Sequence, residues 1–173
     1  MARRFRTVRE LIYWEYAKLI SERAVGERRN FRFVTYAFKR LCEGKMNPSS
    51  ILSENKKLFT SGEICAYCGA TDGLQWEHVI PLACGGPDSI DNMVRACAPC
   101  NQAKGARDPY QWYIGRQADT IPRVALGKFL KIIFDAYESA GVVDSEEYMK
   151  ENAVQRVELA KILSGDANLP HQR

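Results

Sequence analysis

Histidine is scarce in this chain. There are two: His171 reads as a solvated tail residue, which leaves His78 as the one interior imidazole. Long apolar runs are missing as well, and no stretch approaches the ~20 apolar residues that span a bilayer. The basic start MARRFRTVRE resembles the opening of a signal peptide, but LIYWEYAKLISERAVG behind it carries Glu15, Lys18, Glu22 and Arg23, which breaks any apolar core such a peptide needs. A cytoplasmic protein with no membrane partner is expected. No internal repeat or low-complexity tract is present, and an apolar content of 46% with 27% charged residues excludes disordered and collagen-like classes. At 173 residues the chain fits one domain, or one compact core with attached helices.

Charge is present but unevenly placed. Residues 1–60 hold fourteen Lys or Arg against six Glu, a net +8, whereas 61–120 and 121–173 are at −3 and −1. A basic face of this kind attracts polyanions through phosphate contacts and counterion release; a solvated helical surface is the alternative from charge alone.

Six cysteines in a reducing compartment point to metal rather than disulfides. Four fall in two CxxC pairs, Cys65 with Cys68 and Cys97 with Cys100, and two such turns aim four thiolates at one structural zinc ion. The 28 residues between the pairs exceed the usual spacing of roughly 15–20, so something is built between the halves of the clamp. Cys42 and Cys84 fit no pattern and are expected as small buried side chains.

Thr7 and Glu10 form a capping box ahead of LIYWEYAKLI, a helix closed by Gly26. Asn30 caps FRFVTYAFKRLCE, and Asn47-Pro48 announces a short helix near SSILSENKKL. Strand-like pieces lie around LQWEHVI and MVRAC, with a turn at Gly85-Gly86-Pro87. Asp108-Pro109 starts a brief helical turn through Trp112, and Pro122 opens a helix over VALGKFLKIIFDAYESAG. Asp144 with Glu147 is read as the cap of a last helix running to about Leu163.

Between the cysteine pairs stand Glu77-His78, two residues and Pro81, then Gly85-Gly86, then Asn92-Met93-Val94; Asn101 follows the last cysteine, with Lys104 three residues on. This ordered set, over residues 62–112, resembles the HNH endonucleases of the ββα-metal superfamily. The resemblance implies an α+β fold: a ββα-metal core over 60–115 stapled by the four-cysteine zinc, flanked by a basic helical region at 1–59 and a helical region at 116–173. It implies a divalent-metal-dependent DNA endonuclease leaving 5′-phosphate and 3′-hydroxyl ends. His78 resembles the general base, Glu77 and Asn101 the ligands of a catalytic Mg²⁺ or Mn²⁺, and Asn92 the middle asparagine that ties the loop holding the histidine. The family's first acidic residue is more often Asp, and Glu reaches one methylene further. Arg95 and Lys104 are phosphate-contact candidates. The partner implied is DNA, most readily double-stranded; a homodimer would let one site cut each strand, and no small-molecule cofactor is expected.

The chemistry supports these roles independently. Hydrolysis of a phosphodiester needs an in-line water, a proton acceptor and positive charge on the phosphoryl and leaving oxygens. Neutral imidazole is a suitable acceptor near neutral pH, and carboxylate and amide oxygens are hard ligands for one Mg²⁺. Asp88 and Asp91 are read as turn and capping residues. Neighbours on a regular strand point to opposite faces, so for Glu77 and His78 to serve one site the strand must end or bulge there, or base and metal must flank the phosphate. The competing readings are a zinc-stapled nucleic-acid-binding module without turnover and an RNA-directed nuclease.

Overall fold

The computed structural model describes residues 3–48, 63–114 and 118–165. They fall into two compact units, one formed by Met1–Met46 with Ile133–Arg173, the other by Asn47–Ile132.

In the first unit α1 (Val8–Val25) packs against α2 (Phe31–Cys42). Thr7 caps α1 by accepting from the Glu10 amide at 3.2 Å, but the Glu10 carboxylate takes the amide of Arg6, at 2.8 Å, so the expected reciprocal box is displaced by one residue. Gly26, at φ 75°, closes the helix in the left-handed region. Val8, Ile12, Ala17 and Leu19 are buried, and so are Glu15 and Lys18, which pair at 3.0 Å. A helix enclosed on so many sides needs more than one neighbour. The C-terminal region supplies it: Arg9 N–H donates to the Val143 carbonyl at 3.0 Å, and the rings of Tyr13 and Phe134 stack at 5.8 Å. Residues 1–46 and 133–173 thus share one unit.

The last helix differs from expectation. Ser145, not Asp144, caps it, accepting from the Tyr148 amide at 3.1 Å, because the Asp144 carboxylate is occupied by the Arg9 guanidinium at 2.7 and 2.9 Å. The helix then stops at Glu151, before Ala153 at φ 45°, and a short helix resumes at Lys161–Ser164. The helix expected near SSILSENKKL lies outside the described residues.

In the second unit β1 (Leu74–His78) pairs antiparallel with β2 (Met93–Cys97), with Leu74 opposite Cys97 and His78 opposite Met93. The seven-residue α3 (Ala98–Lys104) packs on both strands. Then α4 (Pro109–Trp112) starts at a full capping box between Asp108 and Gln111. The helix α5 (Arg123–Ser139) begins in this unit, and its Lys128 ammonium donates to the carbonyls of Ile90 and Met93 at 2.8 and 2.7 Å, fixing the entry to β2. The architecture is α+β, a two-stranded sheet among helices. No helix among the described residues is long and apolar enough to cross a membrane.

Candidate functional site

Each CxxC pair occupies a different kind of backbone. Cys65 and Cys68 flank a tight turn in which Gly69 N–H donates to the Cys65 carbonyl at 2.9 Å, and the Ala66 amide ties that turn to Arg95 of β2 at 2.8 Å. Cys97 ends β2, and Cys100 lies in the first turn of α3. The four sulfurs lie within 4.8 Å of one another, and Cys68 Sγ is 3.6 Å from Cys97 Sγ. Tetrahedral thiolates at about 2.3 Å from zinc stand about 3.8 Å apart, so the donor set and spacing fit one such ion. Burial pushes the Cys65 thiol up, but backbone hydrogen bonds around Cys97, Cys68 and Tyr67 outweigh it and bring it to about 7. Burial and the neighbouring sulfurs push Cys100 up instead. Cys42 and Cys84 stand apart from this cluster, and neither is buried, against expectation. The Cys84 sulfur donates to the carbonyl of Ala106, at 3.5 Å.

The Asn92 side chain ties the loop from Val79 to Asn92 at two points. Asn92 is fully buried; its Oδ1 accepts from the Ile80 amide at 2.9 Å, and its Nδ2 donates to the carbonyls of Ile80 and Pro87 at 2.8 and 2.9 Å. One amide thereby closes both ends of the loop, and the Val79 amide adds a bond to the Asn92 carbonyl at 2.7 Å. Two glycines permit this for different reasons. Gly85 takes φ 80°, whereas a Cβ at Gly86 would fall 2.1 Å from the Ile80 carbonyl oxygen and 2.9 Å from Asn92 Nδ2.

His78 ends β1, and Glu77 precedes it on the opposite face. Glu77 points inward: Oε1 accepts from Lys104 at 2.5 Å and Oε2 from the Tyr67 hydroxyl at 2.8 Å. Burial, and then the Glu77 charge, hold the Tyr67 hydroxyl well above its ordinary pKa, so it stays a donor. Trp112 backs Tyr67 edge-on at 4.8 Å. His78 is partly exposed, and its Nε2 lies 3.0 Å from Asp88 Oδ1. Asp88, read as a turn residue, is thus the histidine's partner, and only the folded loop brings it there. Tyr67 was also missed, although its place inside CAYC fixes it beside the clamp.

Glu77, His78 and Asn101 meet at one open cleft of about 210 Å³, which Trp76, Pro81, Leu82 and Gly105 complete. Asn101 comes from α3, one residue past the last cysteine, so the clamp that folds α3 back also brings it to the end of β1. Glu77 and Asn101 are the cleft-lining residues that carry hard oxygen donors of the kind a divalent cation takes, and both Glu77 oxygens already accept hydrogen bonds, from Lys104 and Tyr67. The two phosphate-contact candidates are placed differently. Lys104 has no exposed surface; its ammonium is held by Glu77 and, at 2.9 Å, by the His78 carbonyl. Arg95 is turned onto the sheet, bonding the Leu74 carbonyl at 3.0 Å and lying 5.1 Å over the Trp76 ring.

The same segment is matched in comparison with known proteins. Residues 65–111 match the family described as HNH endonuclease. The CRISPR-associated endonuclease Cas9 1 of Streptococcus thermophilus is 33% identical over 81 residues, covering 37% of this chain and 7% of that protein. This chain therefore spans a small fraction of that relative's length. No solved structure matches. The matched residues 65–111 carry the four cysteines, both strands, α3 and the cleft, and it is this segment that is similar to the HNH endonuclease family.

Proposed function

We propose that this chain is a divalent-metal-dependent DNA endonuclease in which His78 is the general base. The observation that carries the reading is the convergence of Glu77, His78 and Asn101 on one cleft, inside the segment that matches the family. An ionised carboxylate only accepts hydrogen bonds, so Asp88 keeps the proton on His78 Nε2 and leaves the Nδ1 lone pair to take a proton from water. Asn92 sets where the imidazole sits, through the loop it closes, without touching substrate. Glu77 and Asn101 would hold the catalytic cation. Bound there, Mg²⁺ or Mn²⁺ supplies positive charge to the phosphoryl and leaving oxygens. Because Lys104 offsets the Glu77 charge, these residues favour a cation that arrives with phosphate over one bound tightly alone. Zinc at Cys65, Cys68, Cys97 and Cys100 is structural, since four thiolates leave no position for water. The net +8 of residues 1–60, which already counts the Glu15 and Glu22 partners of Lys18 and Arg28, supports attraction to DNA, reduced by the pairing of Arg9 with Asp144.

The test is supercoiled plasmid with Mg²⁺ or Mn²⁺, with and without EDTA. Wild-type protein is expected to nick or cut it, and His78→Ala to lose about 10²–10⁴-fold in rate while keeping its zinc. Undiminished cleavage by that variant sinks the assigned base. Asn101→Ala should cut poorly, with partial rescue by high metal. It is a cleaner probe than Glu77→Ala, which strands the buried Lys104. Binding without scission would favour the non-enzymatic module, and preference for RNA in competition would reassign the substrate.

A further inference from the structure

Trp76 is 45% exposed and borders the same cleft as His78. Side chains on a strand alternate, so Trp76 and His78 stand on one face of β1, about 6.6 Å apart along the chain, while Glu77 between them turns inward. Directly across the ladder is Arg95, whose guanidinium lies 5.1 Å from the Trp76 ring and is itself anchored to the Leu74 carbonyl. Leu82, 51% exposed, adds an apolar surface to the same cleft. A charge-backed indole braced by a sheet and left open toward a cleft has the chemistry of a nucleobase platform: aromatic stacking is sequence-tolerant, and the cation adds to it.

We propose that Trp76, backed by Arg95, stacks an unpaired nucleobase of the nucleotide next to the phosphate held at His78. The inference rests on the nuclease reading for the identity of the ligand. A stacked base would register the strand so that the adjacent phosphate meets the imidazole, and it would favour nucleic acid whose bases are unpaired or splayed at the cut. Arg95 then acts through the indole rather than on a phosphate.

The experiment measures binding of a fluorescent short thymidine oligonucleotide, and of an abasic strand of equal length and charge, to the zinc-loaded protein without added magnesium. The wild type is expected to prefer the base-bearing strand by about five- to hundredfold, in line with the loss per stacked base on alanine substitution. Trp76→Ala should bind the two strands alike, at the wild type's abasic affinity. Trp76→Phe should keep part of the preference, and the salt dependence should be the same in all three, because no phosphate contact is removed. A wild type without preference overturns the platform, and so does Trp76→Ala with preference intact. Plasmid cleavage judges the nuclease reading separately: an uncut plasmid with a Trp76-dependent preference removes that reading alone, and a cut plasmid with none removes the platform alone.

Discussion

Lys104 gives its ammonium to the Glu77 carboxylate and the His78 carbonyl with no surface exposed to water, while Glu77 itself is 5% exposed. Removing one partner of such a pair leaves an uncompensated charge inside the protein. Lys104→Met is therefore expected to destabilise the second unit by about 3–5 kcal/mol, read from urea unfolding. An unchanged midpoint would show that the pair contributes nothing net. Asp88 is mostly exposed, and on the proposed function it acts by orienting His78: Asp88→Ala should keep the metal and the fold but lower cleavage by about ten- to hundredfold, as when a histidine loses the partner that orients it. A loss as large as that of His78→Ala would mean that Asp88 does more than hold the ring.

At the scale of elements, the loop between β1 and β2 depends on contacts that no single residue type reveals. Gly86→Ala would place a methyl carbon on the Ile80 carbonyl, so the loop must open and the Asn92 bonds must break. Faster hydrogen exchange at Val79 and Ile80, with cleavage lost and zinc retained, is the expected outcome; protection equal to wild type would refute it. In the first unit, Arg9 holds the Asp144 carboxyl below its ordinary value near 3.8. A lowered carboxyl stabilises the folded state above its unfolded value, and that contribution fades as pH falls through the folded one. Asp144→Asn should thus lower the melting temperature at neutral pH and make no difference well below pH 3.8. An equal difference at both pH values would argue against the charge pair.

For the whole molecule, the two units differ in what holds them. The four-cysteine side of the hairpin has a small apolar cluster of Cys65, Ala96 and Cys97, with Tyr67, Leu74 and Cys100 against it. A cluster this size gives little hydrophobic stabilisation, so bound metal is expected to supply much of the folding energy there. The first unit has α1 enclosed by apolar neighbours and no metal site among its described residues. Stripping zinc with a strong chelator should therefore release the amides of β1 and β2 to exchange while those of α1 stay protected. Simultaneous loss in both would show that the metal stabilises them together.

The spacing of the cysteines, the Glu-His pair, the turn glycines and the two asparagines was legible in the sequence because each reflects a local requirement. A tight turn presents two thiolates, glycine takes a positive φ, and one ordered stretch carries the whole family pattern. The same holds for the caps at Thr7, Asn30 and Asp108. What the chain could not reveal locally was which of several competing partners a charged group takes. Asp88 pairs with His78, Asp144 leaves its helix to Arg9, Lys104 turns inward to Glu77, and Arg95 lies on Trp76. Each outcome depends on groups distant in sequence whose separation and exposure exist only after the strands, the loop and α3 have packed, and there burial and electrostatics outweigh local preference.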